Sequence, residues 1–310
     1  MKIVYMGTPD FAVAPLKALC AAGHDVVLAV TKPDRAKDRG KKLQSCPVKQ
    51  AALELGIPVS TPEKLRGNEE FLEELRSASP DLIVVAAYGK ILPPGILELP
   101  KYGCVNVHAS LLPAYRGSAP IHRAVMDGCE KTGVTIMMME EGLDSGDMLA
   151  QAETFIGEKT TEQLHEELSE LGAELLVKTI PGLEDGTAVR VPQDGRLATY
   201  APMVFKEEGI IDFSKTARQI CCLVRGFNSW PTASTVLDGK VMKVHGAKPG
   251  KNSPTGKAPG TVVSAGKDGI ETACGDGTVL LTNIQMPGKK AMDASAFLLG
   301  HKIEIGTVLG

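Results

Sequence analysis

The sequence predicts an α/β fold: a Rossmann-like, mostly parallel sheet with helices on both faces, followed by a small C-terminal β-barrel of OB-like type. Three observations predict it. In the first half, the apolar runs "KIVYMG", "DVVLAVT", "DLIVVAAY" and "GCVNVHA" alternate with helix-like segments, the pattern of strands covered on both faces and joined by helical crossovers. After about Lys206 the runs become short and alternating. Asp-Gly stands between them at 238–239, 268–269 and 276–277, the dipeptide of tight hairpins. Finally, 310 residues are enough for two cores. The expected boundaries are a Rossmann-like domain over 1–189, a connection over 190–206 and the barrel over 207–310.

Each element follows in turn. "KIVYMG" reads as the first strand. Pro9 and Asp10 open a helix whose apolar face holds Phe11, Leu16, Leu19 and Cys20, and Gly23 ends it. "DVVLAVT" is the second strand, and "PVKQAALELG" is a helix with Pro at its start and Gly at its end. Asp81–Tyr88, "GCVNVHA" and "GVTIMMM" supply the third, fourth and fifth strands. Thr160 followed three residues later by Gln163 forms a capping box. It starts a long amphipathic helix with Leu164, Leu168, Leu171 and Leu175 as its core stripe. "VPQDGRLATYAPMVFKEEG" has no periodicity and reads as a connection. "SKTARQICCLVRGF" reads as a helix, with Cys221 toward the core and Cys222 toward the surface.

Composition excludes several classes. No apolar run approaches the roughly 18–20 residues of a membrane span, and "MKIVYMGTPD" has no signal-peptide core, so a cytoplasmic, non-membrane protein is expected. The seven cysteines are scattered without a Cys-x-x-Cys pair, as free thiols in a reducing compartment would be. The net charge of −3 hides an asymmetry. Residues 207–310 hold 12 Lys/Arg and 9 Asp/Glu, leaving 22 and 28 in residues 1–206. "KPDRAKDRGKK", Lys32–Lys42, carries six bases against two acids. A charge run alone is most often a solvated loop, but a basic loop and a mildly basic second domain together make an electrostatic footprint.

Three polar residues stand out against the apolar strands: Asn106, His108, and Asp144 in "EEGLDSGDML". A single His on a strand is more often a core histidine, and an Asp in such a turn can be an Asx-turn. Asn-x-His changes the balance, because residues two apart on a strand share a side, here at a carboxyl end where α/β sheets bind ligands. An amide can stabilise an oxyanion, an imidazole can move a proton, and a carboxylate can orient the imidazole. No Ser, Cys or Lys is locally paired with a base, so the set suits direct attack of an amine on an acyl carbon. Asn is a poor metal ligand and there is no His-x-x-x-His, so no metal is expected. "MGTPDF" lacks Gly-x-Gly-x-x-Gly and the second strand ends in Thr31 and Lys32, which disfavours a nicotinamide cofactor.

"NVHASLLPAYRGSAPIHRA" together with "TGVTIMMMEEGLDSGDML" resembles the signature of the folate-dependent formyltransferases. The blocks "VYMGTPDFA", "TKPDRAKDRGKKL", "VVAAYGKILP", "FNSWP" and "PGKKAM" extend the resemblance nearly end to end, to the branch that acts on charged tRNA. The resemblance implies an enzyme that passes the formyl group of 10-formyltetrahydrofolate to the α-amine of methionine on initiator tRNA. It implies catalysis by Asn106, His108 and Asp144. It also implies folate contacts at Ser110, Leu111, Leu112, Pro113, Tyr88, Ile91 and Leu92, and tRNA contacts at Arg39, Lys41 and Lys42. A monomer is expected. Two alternatives stay open: a formyltransferase for a small amine, such as a nucleotide sugar or glycinamide ribotide, and a non-catalytic tRNA-binding protein.

Overall fold

Seven segments of the first half pair into one sheet whose inner strands are buried on both faces. The computed structural model describes residues 1–37 and 42–310, with only the backbone described at 35–37 and 42–43. The strands are β1 (Lys2–Gly7), β2 (Asp25–Val30), β3 (Val59–Ser60), β4 (Leu82–Ala86), β5 (Cys104–His108), β6 (Lys131–Met138) and β7 (Met148–Phe155). Their order is β7-β6-β5-β4-β1-β2-β3. β3, β2, β1, β4 and β5 run parallel, and β6 is antiparallel to β5. The sheet is therefore Rossmann-like and mixed, with the order reversing between β1 and β4, the switch point of doubly wound sheets.

The helices of this half are α1 (Val13–Ala21), α2 (Pro47–Glu54), α3 (Glu69–Ala78), α4 (Pro94–Leu97), α5 (Pro120–Met126) and α6 (Thr161–Asp185). The residues from Asp10 to Ala12 form a 3-10 turn before α1, and Gly23 takes the left-handed conformation after it, φ 83°. α3 has its own legible signals, absent from the expected element order. Asn68 accepts a hydrogen bond from the Phe71 backbone N–H at 3.1 Å, with two acids in the first turn and Arg76 in the last. α5 and β7 are likewise additions.

α6 starts on the expected capping box: Thr160 N–H donates to Gln163 Oε1 at 2.9 Å, and Gln163 N–H to Thr160 Oγ1 at 3.3 Å. Its stripe differs from the expected one. Leu164 and Leu168 are buried, but Leu171 and Leu175 are half-buried, and the core positions continue through Leu176 and Ile180. A spacing of four throughout follows the 100° turn of the helix and drifts slowly around its face. Gly172 lies there against Val107 and Val134, where an added Cβ would come within 2.8 Å of Val107.

The chain forms two compact units: Met1–Pro120 with Thr132–Thr154 and His165–Pro202, and Ile121–Lys131 with Phe155–Leu164 and Met203–Gly310. Residues 191–202, read as connection, thus belong to the first unit. The second unit is built on an antiparallel sheet of β8 (Ala233–Leu237), β9 (Lys240–Pro249), β10 (Val262–Gly266), β11 (Gly269–Cys274) and β12 (Gly277–Gln285). Their order is β8-β9-β12-β11-β10, and the short β13 (Met292–Asp293) pairs with β12. Two further helices, α7 (Ala217–Gly226) and α8 (Ala294–Gly300), complete it. One apolar core joins Ile220, Cys221 and Val224 of α7 to Met242, Val244, Val262, Val279, Leu281 and Phe297.

Asp238 and Gly239 form the β8–β9 turn with φ 49° and 72°. The other two hairpins are shifted by one residue: Lys267–Asp268 and Gly275–Asp276 make the turns, and Gly269 and Gly277 begin the next strands. An added Cβ at Gly269 would sit 2.4 Å from the Leu281 carbonyl, so close approach explains that glycine. Cys222 is also a correction. It is buried rather than superficial, because the segment around Gly128 covers it, with Arg218 donating to the Gly128 carbonyl at 3.2 Å.

Two substitutions test the α6 stripe. Leu168→Ala should cost about 2–5 kcal/mol in denaturant unfolding, whereas Glu170→Ala on the exposed side should stay within about 0.5 kcal/mol.

Candidate active site

β5 is an interior strand, and its register fixes the site. Asn106 lies between Val85 of β4 and Met137 of β6, and His108 opposite Thr135. Cys104, Asn106 and His108 point to one side, Val105 and Val107 to the other. Cys104 is spent on the core, and burial pushes its thiol up to about 12, so it offers no thiolate at neutral pH. Asn106 is half-buried and His108 is 5% exposed.

The chain then turns sharply. Ser110 is fully buried and its hydroxyl donates to the Ala114 carbonyl at 2.6 Å. Thr135 is the hub beneath this turn. Its hydroxyl donates to Ser110 O at 2.7 Å and accepts from Leu112 N–H at 3.1 Å and Gln151 Nε2 at 2.9 Å. Gln151 also donates to Leu112 O at 2.9 Å. These bonds satisfy polar groups that burial would otherwise leave unpaired. Thr135 and Gln151 are absent from the expected site. Thr135 left a signal, a hydroxyl inside an apolar run, while Gln151 left none.

Beyond the turn, Tyr115 adopts φ 61°. Its carbonyl lies 3.0 Å from His108 Nε2. A carbonyl only accepts, so Nε2 carries the proton in this contact. The other ring nitrogen, Nδ1, faces Asp144 Oδ2 at 3.7 Å. That carboxylate is not an Asx-turn: it accepts from the Gly117 backbone N–H at 2.8 Å, 27 residues away. Asp144 has φ 48°. Left-handed backbone costs an L-residue about 1–2 kcal/mol, and the surrounding bonds hold it.

Those bonds come from residues 191–201. Tyr200–Ala201 pairs in parallel with Arg116–Gly117, and Tyr115 N–H donates to Thr199 Oγ1 at 2.9 Å. Gln193 Oε1 accepts from Arg116 Nε at 3.0 Å and Nη2 at 2.8 Å, and its Nε2 donates to the carbonyls of Asp144 and Gly146 at 2.9 and 2.8 Å. Arg116 is 8% exposed, so an unpartnered guanidinium there would be costly.

Asn106, His108 and Asp144 therefore share one strand end, with His108 and Asp144 in contact. The residues expected to meet folate divide. Ser110, Leu112, Tyr88 and Leu92 are buried, and Leu111 and Pro113 are half-buried. Ile91 is 81% exposed, and Leu143, one residue before Asp144, is exposed as well. The Tyr88 hydroxyl is buried with no partner among the described residues, and burial pushes it up to about 12. Arg39 and Lys41 lie outside the described residues. Lys42 begins a short strand whose backbone pairs with Lys37, in a ribbon that also joins Arg35 to Gln44. Among the described residues no group of three His, Cys, Asp or Glu side chains could hold a metal ion. No helix among them is long and apolar enough to cross a membrane.

The Formyl transferase family profile matches residues 1–180, and the Formyl transferase, C-terminal domain profile matches residues 203–302. The chain belongs to the formyl transferase family. It is thus an enzyme of formyl transfer. Among its relatives, a methionyl-tRNA formyltransferase of Lachnospira eligens is 48% identical across the whole of both chains. One of Citrifermentans bemidjiense is 49% identical over all of this chain and 96% of its own. The fold is also that of more distant solved structures. HypX from Aquifex aeolicus in complex with tetrahydrofolic acid is 18% identical with a TM-score of 0.63, over 99% of this chain and half of its own. An N-formyltransferase from Helicobacter canadensis is 19% identical with a TM-score of 0.68, over 92% and 99%.

The Thr135 hub is testable by an isosteric change. Thr135→Val removes one donor and one acceptor from a sealed turn and should lower unfolding free energy by about 1–3 kcal/mol.

Proposed function

We propose that this protein transfers the formyl group of 10-formyltetrahydrofolate to the α-amine of methionine esterified to initiator tRNA. Likeness over the full chain to methionyl-tRNA formyltransferases supports the substrates. One observation carries the chemistry: the Tyr115 carbonyl engages His108 Nε2, so Nδ1 is the nitrogen facing Asp144.

The reaction needs little from the protein beyond placement and charge. The amine attacks the formyl carbon and a tetrahedral oxyanion forms. The Asn106 amide, for which no partner occurs among the described residues, donates to that oxyanion. His108 Nδ1, which carries no proton in this tautomer, takes the proton the amine loses, and Asp144 stabilises the imidazolium that forms and holds a water beside it. The carbon–nitrogen bond to the donor then breaks and the proton passes to the departing nitrogen, so protons balance over the cycle. Exposed Ile91 and Leu143 fit the apolar face of a flat heterocycle, with the turn at Ser110–Pro113 beside it. Tyr88 and Leu92 back that surface from the core.

The second unit and the basic loop serve the tRNA. Arg39, Lys41 and Lys42 contact the acceptor end, and the mildly basic sheet domain contacts sugar-phosphate, positioning without reading bases. A small acceptor amine would need neither. The protein acts in the cytoplasm, as a monomer and without a metal.

Purified protein given labelled formyl donor and charged initiator tRNA should formylate the esterified methionine. Transfer to a small amine sugar but not to tRNA would replace this reading. His108→Ala should lower kcat by about 10²–10⁴-fold while folate binding by titration survives, and near-normal turnover would remove His108 from the chemistry. Arg39→Ala should raise KM for tRNA and flatten its salt dependence, with KM for folate unchanged.

A further inference from the structure

Residues 191–201 lie between the stretches that the two family profiles match, 1–180 and 203–302, yet they hold the backbone of the turn that carries Asp144. We infer that Gln193 is a positioning residue: its amide fixes the turn that carries Asp144 and thereby sets the carboxylate beside His108. The inference rests on the reading of Asp144 as a reacting group.

Four residues close a ring. Gly117 N–H donates to Asp144 Oδ2 at 2.8 Å. The Asp144 carbonyl accepts from Gln193 Nε2 at 2.9 Å. Gln193 Oε1 accepts from Arg116 twice, at 3.0 and 2.8 Å. Arg116 is covalently joined to Gly117. Cutting the ring at Gln193 leaves Asp144, among the described residues, tied through its carboxylate, with the strained backbone, φ 48°, no longer held at its carbonyl.

The amide is used in full. It has two donors and one oxygen with two acceptor sites, and all four are engaged. This choice of side chain is informative. A glutamate would bind the Arg116 guanidinium more strongly, as a charged fork. Its oxygens could not donate to the carbonyls of Asp144 and Gly146 and would repel them. What only glutamine supplies is the donor half, and that half acts on the Asp144 turn. The backbone of the same segment supports the geometry: Met148 and Val191 exchange two hydrogen bonds, both 2.9 Å, and fix the register of Gln193 against the turn.

The test uses the full-length enzyme, formyl donor and charged initiator tRNA, with Gln193→Met and Gln193→Glu. Both variants should lower kcat and the single-turnover rate constant by about 10- to 100-fold, with KM for both substrates unchanged. Measured with enzyme in saturating excess over tRNA, the single-turnover rate constant does not depend on how much protein is folded, so loss of folding cannot imitate this result. In the background of Asp144→Asn, Gln193→Met should slow the reaction no further. A role confined to anchoring Arg116 predicts wild-type turnover for Gln193→Glu, and that result overturns the inference. So does an unchanged single-turnover rate constant in Gln193→Met. If Asp144→Asn alone turns over at the wild-type rate, the reading of the site fails and this inference with it. A slow Asp144→Asn beside a wild-type Gln193→Met sinks the inference only.

Discussion

The backbone N–H of Gly117 holds the Asp144 carboxylate at 2.8 Å, and much of the site depends on that one contact. It needs a backbone at Gly117 with φ 120°, in a place where a Cβ would stand 2.8 Å from the Ala201 carbonyl. No other residue meets both conditions without moving the strand pair. The pairing of Arg116–Gly117 with Tyr200–Ala201 is thus a precondition of the carboxylate's position. So is the turn after His108, which delivers the Tyr115 carbonyl to Nε2. Two non-glycine residues with positive φ, Tyr115 and Asp144, are held by bonds from outside their own loops. Backbone strain of that kind persists where neighbours over-determine it.

The sheet supplies the rigidity. β5 is flanked by β4 and β6, so Asn106 and His108 cannot slip without exchanging the two faces of the strand. The reversal of direction at β6 also matters. It brings Thr135 opposite His108 and under the turn, while Met138 at the far end of the strand lies opposite Val105, so the loop that follows folds back for Asp144 to reach His108. The polar groups of the turn are buried and satisfied by Thr135 and Gln151, so the turn acts as part of the core rather than as a loop.

Much of this was legible in the sequence, for physical reasons that differ by residue. The buried strands β1, β2, β4 and β5 were visible as continuous apolar runs, and the capping box at Thr160 and Gln163 marked the start of α6. The pairing of Asn106 with His108 on one side of β5 followed from the two-residue period of a strand. Other features left weaker traces. Beyond Leu168 the buried stripe of α6 runs one position later than its leucines suggest, because half-buried Leu171 and Leu175 are as apolar as buried Leu176. Two Asp-Gly hairpins moved by one residue, because a glycine required by close approach looks the same in sequence as one required by a turn.

Local chemistry and local periodicity are carried by the chain itself, so the sequence alone determined the two-part α/β architecture, the strand that bears Asn106 and His108, and the candidacy of Asp144. Contacts between residues distant in the chain are not. Gln193 and Thr199 stand in a stretch without periodicity, and nothing near them announces partners about 50 and 84 residues away. Only the tertiary structure decided which nitrogen of His108 faces the carboxylate, which backbone group holds Asp144, and that the segment read as a connection is a wall of the site. The reason is that hydrogen bonds across a fold depend on where backbones meet, and that is a property of the packed chain rather than of any window along it.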